Sequence, residues 1–180
     1  MAPYTQIERD KGVGEEAKNM LIRRCETADQ DGLLDVWLQA TLHAHDQLPA
    51  AMWWPRQEAL RRQLLDCQQI WVVEAARNSL WPVSKNCQQV PRVVPALVGF
   101  MAVEAQQLLA LYVHPDYQQQ GIGGCLLQLA KGYQSRLDVR VCALNIDAVQ
   151  FYRRHGFHLL REVKDPLTGC DEVEMMYSKP

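Results

Sequence analysis

The stretch YVHPDYQQQGIGGCLL, Tyr112–Leu127, sets three glutamines and three glycines between two apolar runs. Before it, LLALYV (Leu108–Val113) has the composition of a buried strand. After it, Ile122, Cys125, Leu126, Leu129 and Tyr133 recur at helical spacing. The corner is thus a strand-to-helix turn almost without side chains. Gly121, Gly123 and Gly124 leave backbone N–H groups unshielded at the helix N-terminus, aligned with the positive end of its dipole, and such a corner seats an anion. No lysine follows the glycines, as a nucleotide-hydrolysing loop requires, and Leu126 stands where a dinucleotide-binding turn wants a third glycine. Taken alone, the stretch leaves open that the glycines only make the turn.

Outward from this corner the chain alternates readable elements. LIRRCETA (21–28) reads as a strand. A first amphipathic helix follows, with Leu34, Trp37, Leu38, Thr41, Leu42 and His45 on one stripe. A second helix starts near Pro55, carrying Leu60, Leu64 and Cys67. Residues 70–76 and 96–103 read as strands, separated by a proline-containing segment, 77–95, read as a long loop. Glu104–Gln106 closes a hairpin onto LLALYV, and DVRVCAL (138–144) is the strand after the glycine helix. NIDAVQFYRRHG then supplies both ends of a helix, an Asn cap at Asn145 and a glycine stop at Gly156. FHLLREV and DEVEMMYS close the chain as two strands. Residues 1–20 are polar and aperiodic, and read as a mobile extension or strandless lead-in to one domain over 21–180.

Composition narrows the function classes. The chain has 180 residues, 19 basic against 21 acidic, for a net charge of -2. A chain of this length buries a core without disulfide staples. The charge balance gives no footing for nucleic acid, so none is expected as a partner. No apolar run approaches the roughly 20 residues of a membrane span, and no signal-peptide core is present. A soluble, cytoplasmic protein is expected, with its six scattered cysteines as reduced thiols. No metal site is expected: His43 and His45, two residues apart, point to different sides of a helix.

A second constellation gives the corner its meaning. Asn145, Ala148, Phe151, Tyr152, Gly156 and Phe157 form the pattern NxxAxxFYxxxGF, one strand after the anion seat. Together with Gln118–Gln119–Gln120–Gly121–Ile122–Gly123, it resembles the GNAT superfamily of acetyl-coenzyme A (acetyl-CoA) dependent N-acetyltransferases, and small bacterial members in particular. The resemblance runs from Leu21 to the C terminus. It implies an α/β (α+β) fold: a mixed central sheet of about six to seven strands with one splayed pair, flanked by about four helices.

The resemblance also implies roles. Acetyl-CoA, the acyl donor, would insert between the splayed strands LLALYV and VRVCAL. Its pantetheine would run beside Leu111, Tyr112 and Val113, and its diphosphate would lie on the N–H groups of Gln119, Gln120, Gly121, Ile122, Gly123 and Gly124, with Gln118 also in the cofactor-binding loop. Asn145 and Phe151 would line the pantetheine, and Arg153 or Arg154 would meet the ribose phosphate. A diphosphate that is bound and not cleaved needs no lysine. Tyr152 is implied as the general acid that protonates the departing thiolate, since a phenol titrates near 10; packing with Val149 and Phe151 is its plain structural alternative.

The acceptor would be a primary amine of a small molecule, peptide or protein, and a homodimer is allowed for. The general base is not apparent: where many members carry Glu or His, this chain has Gln107, which takes no proton. His43, His45 and Glu104 are the acceptor-side candidates, and Trp53 or Trp54 could form an apolar lip. The missing base leaves a second reading, a module that binds acyl-CoA without turnover.

Overall fold

The computed structural model describes residues 5–6, 20–75 and 97–179. The segment 77–95, read as a long loop, and nearly all of the polar lead-in lie outside them. The elements, in chain order, are β1 (Thr5–Gln6), β2 (Met20–Arg24), α1 (Gln30–Ala44), α2 (Trp54–Asp66), β3 (Gln69–Ala75), β4 (Leu97–Glu104), β5 (Gln107–Val113), α3 (Ile122–Tyr133), β6 (Arg136–Cys142), α4 (Ile146–Arg154), β7 (His158–Lys164) and β8 (Asp171–Ser178). The expected order of strands and helices is the observed one. The lead-in, expected to be strandless, contributes one short edge: Thr5 and Gln6 pair antiparallel with Ile22 and Leu21. The first full strand also stops at Arg24, because Thr27–Asp29 turn into a short 3-10 segment that runs into α1.

Among the described residues one sheet holds every strand, in the order β1-β2-β3-β4-β5-β6-β8-β7. All pairings are antiparallel except β5 with β6, which is parallel. Strand alternation splits the core into two layers. On β4, Phe100 and Ala102 face α1 and α2, where Leu34, Trp37, Leu60 and Leu64 are buried. Met101 and Val103 face the other way, onto Ile122, Leu126 and Leu127 of α3 and onto Tyr152 and Phe157. The mixed sheet with helices on both faces is the expected fold.

One ion-pair network fixes where α1 begins. Arg23 on β2 donates to Glu74 on β3 and to both carboxylate oxygens of Asp29, and Asp29 in turn accepts the Glu26 N–H at 2.7 Å. Burial alone would push the Asp29 carboxyl up, but the hydrogen bonds from Arg23 and the Glu26 backbone hold it below its usual range. A depressed carboxylate contributes stability above its unfolded pKa, near 3.9, and loses it as the pH falls through the lower folded value. Arg23→Met is therefore expected to cost about 2 kcal/mol at neutral pH, between the values for exposed and buried pairs. Urea unfolding across the acid range checks this: the gap between the two proteins should shrink below about pH 4.

Candidate functional site

The splayed pair is visible in the backbone. Among the described residues β5 and β6 share one rung, Gln107 with Asp138, and then separate toward their C-terminal ends. A register shift next to that rung, where Ala102 faces Ala110 but Val103 faces Leu108, leaves Leu109 as a bulge that bends β5 away. The closed end is clamped twice. The Asp138 N–H donates to the Gln106 carbonyl at 2.8 Å, and Gln107 Nε2 donates to the Asp138 carbonyl at 3.0 Å. Gln107 is thus a structural clamp, and its failure to be a base says nothing about turnover.

Which backbone groups line the opening follows from pairing. The His114 N–H donates to the Val98 carbonyl, so His114 and, two residues back, Tyr112 turn their peptide groups toward β4. Leu111 and Val113 therefore turn theirs into the gap. The Val113 carbonyl there accepts Gln118 Nε2 at 2.9 Å. Tyr112 offers no backbone to the gap; its ring packs on Phe100 on the α1/α2 face.

The corner after β5 is open as expected. Gly121 caps α3 at φ 84, a left-handed conformation that favours glycine, and Gln119 is also left-handed at φ 60. Among the described residues the N–H groups of Gln119 to Gly124 donate to no backbone carbonyl, the first helical bond being from Cys125 to Gly121. Gln118 and Gln120 bend their side chains back onto the Val113 and Asp116 carbonyls, clear of that row. Gly123 and Gly124 have a second use. A Cβ on Gly123 would stand 3.4 Å from Phe151, and one on Gly124 would stand 3.3 Å from His155 Nε2. Their smallness lets α4 close on the first turn of α3.

α4 is held at both ends by the predicted residues. Asn145 Oδ1 accepts the Ala148 N–H at 3.0 Å, the expected cap of the helix. Gly156, at φ 79, ends the helix, and the Phe157 N–H returns to the Tyr152 carbonyl. The Tyr152 ring is buried between Phe151 and Phe157. Burial first, then the nearness of Tyr112, pushes its phenol well above the usual value. The two tyrosines belong to opposite layers, Tyr112 packed on the α1/α2 side of the sheet and Tyr152 on the α3/α4 side.

Residues 66–159 match the acetyltransferase (GNAT) domain. The chain belongs to the GNAT acetyltransferases. It is similar to the peptidyl-lysine N-acetyltransferase YjaB of Escherichia coli strain K12, 30% identical over 85% of this chain and 86% of the relative. The peptidyl-lysine N-acetyltransferase YiaC of the same organism is 26% identical over 78% and 84%. In fold it is similar to the solution structure of apo YjaB from Escherichia coli, at TM-score 0.64 and 24% identity over 89% of this chain and 99% of that one. It also resembles the PaiA N-acetyltransferase of Thermoplasma acidophilum in complex with coenzyme A, at TM-score 0.62 and 18% identity over 88% and 98%. A GNAT enzyme takes its acetyl group from acetyl-CoA, so this is an acetyl-CoA-dependent N-acetyltransferase.

The acceptor side of this GNAT domain is less even. His43 is exposed on α1. His45 is buried against Trp53, ring centroids 4.7 Å apart, and burial lowers its pKa, which favours the neutral ring. Its Nδ1 and the Trp53 Nε1 are buried and have no hydrogen-bond partner among the described residues. Trp54 is exposed, so the tryptophan pair divides between core and surface. Glu104 lies exposed in the β4–β5 hairpin, opposite Gln107 at the closed end, and the structure does not bring it to the mouth.

Sequence reasoning missed what does stand there. Arg56, in the first turn of α2, donates to Asp165 at 3.0 Å and to Glu172 at 3.2 Å. Both carboxylates are buried. His155 was also missed; its Nδ1 is bonded to the Phe151 carbonyl and its Nε2 lies against the anion seat.

Proposed function

We propose that the protein transfers the acetyl group of acetyl-CoA to a lysine side-chain amine of a peptide or protein, by direct attack, with Tyr152 as the acid that protonates the departing thiolate. The observation that carries this reading is the gap between β5 and β6, into which Leu111 and Val113 turn their N–H groups, with the Val113 carbonyl held by Gln118, and which leads to the N–H row of Gln119 to Gly124, free of backbone partners among the described residues. Pantetheine amides match the first set, and a diphosphate matches the second. In this reading Asn145, the cap of α4, and Phe151 within it would line the pantetheine, and the backbone of Ile122, Gly123 and Gly124 would face the diphosphate.

The thioester carbonyl would point to the Leu111 N–H, a fixed donor for the charge that builds on oxygen during attack. Tyr152 stays a phenol throughout the working pH range, so it is always charged with its proton when sulfur needs one. The choice of peptidyl lysine draws on the names of the two relatives; a small-molecule amine is the broader class it belongs to. Residues 21–180 act as one catalytic domain in this reading. The free thiols of Cys25, Cys67, Cys125, Cys142 and Cys170 suit a cytoplasmic setting.

Thiol release from acetyl-CoA over a panel of amines tests the reading. The panel comprises lysine peptides with a blocked N-terminus, the same peptides with acetyl-lysine and a free N-terminus, and small polyamines. Release with the first and not the second is expected. Release with polyamines alone would overturn the peptide assignment.

A further inference from the structure

We propose that Glu172 receives the ammonium group of the acceptor and takes the proton that must leave before attack, with Arg56 as its positioning residue; this rests on the acetyl-transfer reading above. Glu172 pairs with Cys142 on the last rung of β6, which is the mouth of the gap. Its strand neighbours Val173 and Met175 lie in the α3/α4 layer, so alternation turns Glu172 to the α1/α2 face, where Arg56 meets it. Tyr112 stands on the opposite arm of the gap, on the same face and within electrostatic range. Tyr152 comes from the other layer. A thioester lodged between the arms would thus have its amine side and its thiolate side on opposite faces of the sheet.

The carboxylate is half engaged. Oε1 accepts from Arg56, while among the described residues Oε2 accepts no hydrogen bond, although the residue is only 7% exposed. Arg56 is shared with Asp165, which is further satisfied by the Leu167 N–H and the Thr168 hydroxyl. One cation therefore serves two buried carboxylates, and an incoming ammonium restores the balance. The groups facing Glu172 are Arg56 from α2, Asp165 from the β7–β8 turn, Arg140 and the Cys142 thiol from β6, and Tyr112 from β5. Burial raises its carboxyl, Arg56 opposes, Asp165 raises it further and Arg140 opposes again, for a net upward displacement. That moves it toward the range in which a base works best at neutral pH.

The step balances. The ammonium gives one proton to the Glu172 carboxylate, and the neutral amine forms a C–N bond with the thioester carbon. Collapse breaks the C–S bond, its electron pair goes to sulfur, and Tyr152 protonates the thiolate. The remaining nitrogen proton returns through water to the phenolate, and Glu172 releases its proton to solvent.

Glu172→Gln, assayed with acetyl-CoA and a lysine peptide, should lower kcat/KM roughly 50-fold at pH 7. The gap should narrow as the pH rises toward the lysine pKa near 10.4, where the free amine no longer needs a base. Acetyl-CoA affinity, measured by calorimetry, should stay within about twofold of wild type, as for a group that acts only on the amine side. Arg56→Gln should move the acid limb of the wild-type profile upward by about one pH unit, because the opposing cation is gone; this holds the test if Glu172→Gln folds poorly. Matching rates and matching pH profiles in wild type and Glu172→Gln, or an unmoved limb in Arg56→Gln, would overturn the role of Glu172 while leaving acetyl transfer intact. Wild-type protein that transfers acetyl to no cationic amine would overturn both.

Discussion

Tyr152→Phe should turn over about 300-fold more slowly than wild type with acetyl-CoA and a lysine peptide, a rise of about 3 kcal/mol in the barrier. Among the described residues the hydroxyl has no hydrogen-bond partner, so its removal strands no buried polar group. The phenylalanine ring keeps the contacts with Phe151 and Phe157, and thermal stability should stay within a degree or two. Acetyl-CoA affinity should also hold, because the phenol acts when charge appears on sulfur and little before. Single-turnover rates with calorimetry on the same sample separate these quantities. Equal rates in the two proteins would remove Tyr152 from the chemistry and leave it as a packing residue.

Gly121→Val should weaken acetyl-CoA binding about 100-fold, the loss of one or two charge-assisted hydrogen bonds from the N–H row. A β-branched residue at φ 84 is also strained, by about 1 to 2 kcal/mol or more, so the variant needs a matched control. Gly169 provides it. Its φ is 71, a Cβ there meets nothing within 4 Å, and it lies in the β7–β8 turn, away from the glycine corner. Gly169→Val should lose comparable stability and keep its affinity. Equal affinities in the two variants, measured by calorimetry, would move the diphosphate elsewhere. Gly123 and Gly124 make poorer probes, because a side chain on either would press Phe151 or His155 and displace α4 as well.

The parts of this protein that sequence made legible are those encoded within a few residues. The α4 helix carries its own cap and stop, Asn145 and Gly156, so its length and direction were readable. The glycine corner was readable because a positive φ at Gly121 and an uncovered helix start are local properties. The width of the gap was not. It depends on a bulge at Leu109 and on a glutamine whose amide reaches the next strand, and in sequence Gln107 looks only like a lost base. The charged group at the mouth was hidden for a similar reason. Arg56 and Glu172 are 116 positions apart, and in DEVEMMYS nothing separates Glu172 from Glu174, which pairs with Arg140 and Arg161 in the open. The second duty of Gly123 and Gly124, admitting α4, follows from a helix contact no local pattern announces.

The lone rung between β5 and β6 makes the sheet two half-sheets joined by a seam. One half runs from β1 to β5 and the other comprises β6, β8 and β7. A donor molecule that lies in the seam and bonds to both arms acts as a stitch, and its affinity adds directly to folding stability, by about 2.7 kcal/mol at a hundred times its Kd. Amide protons of Leu111 and Val113 should then exchange rapidly in the empty protein and become protected on loading, so the enzyme's rigidity would track the cell's supply of acyl donor.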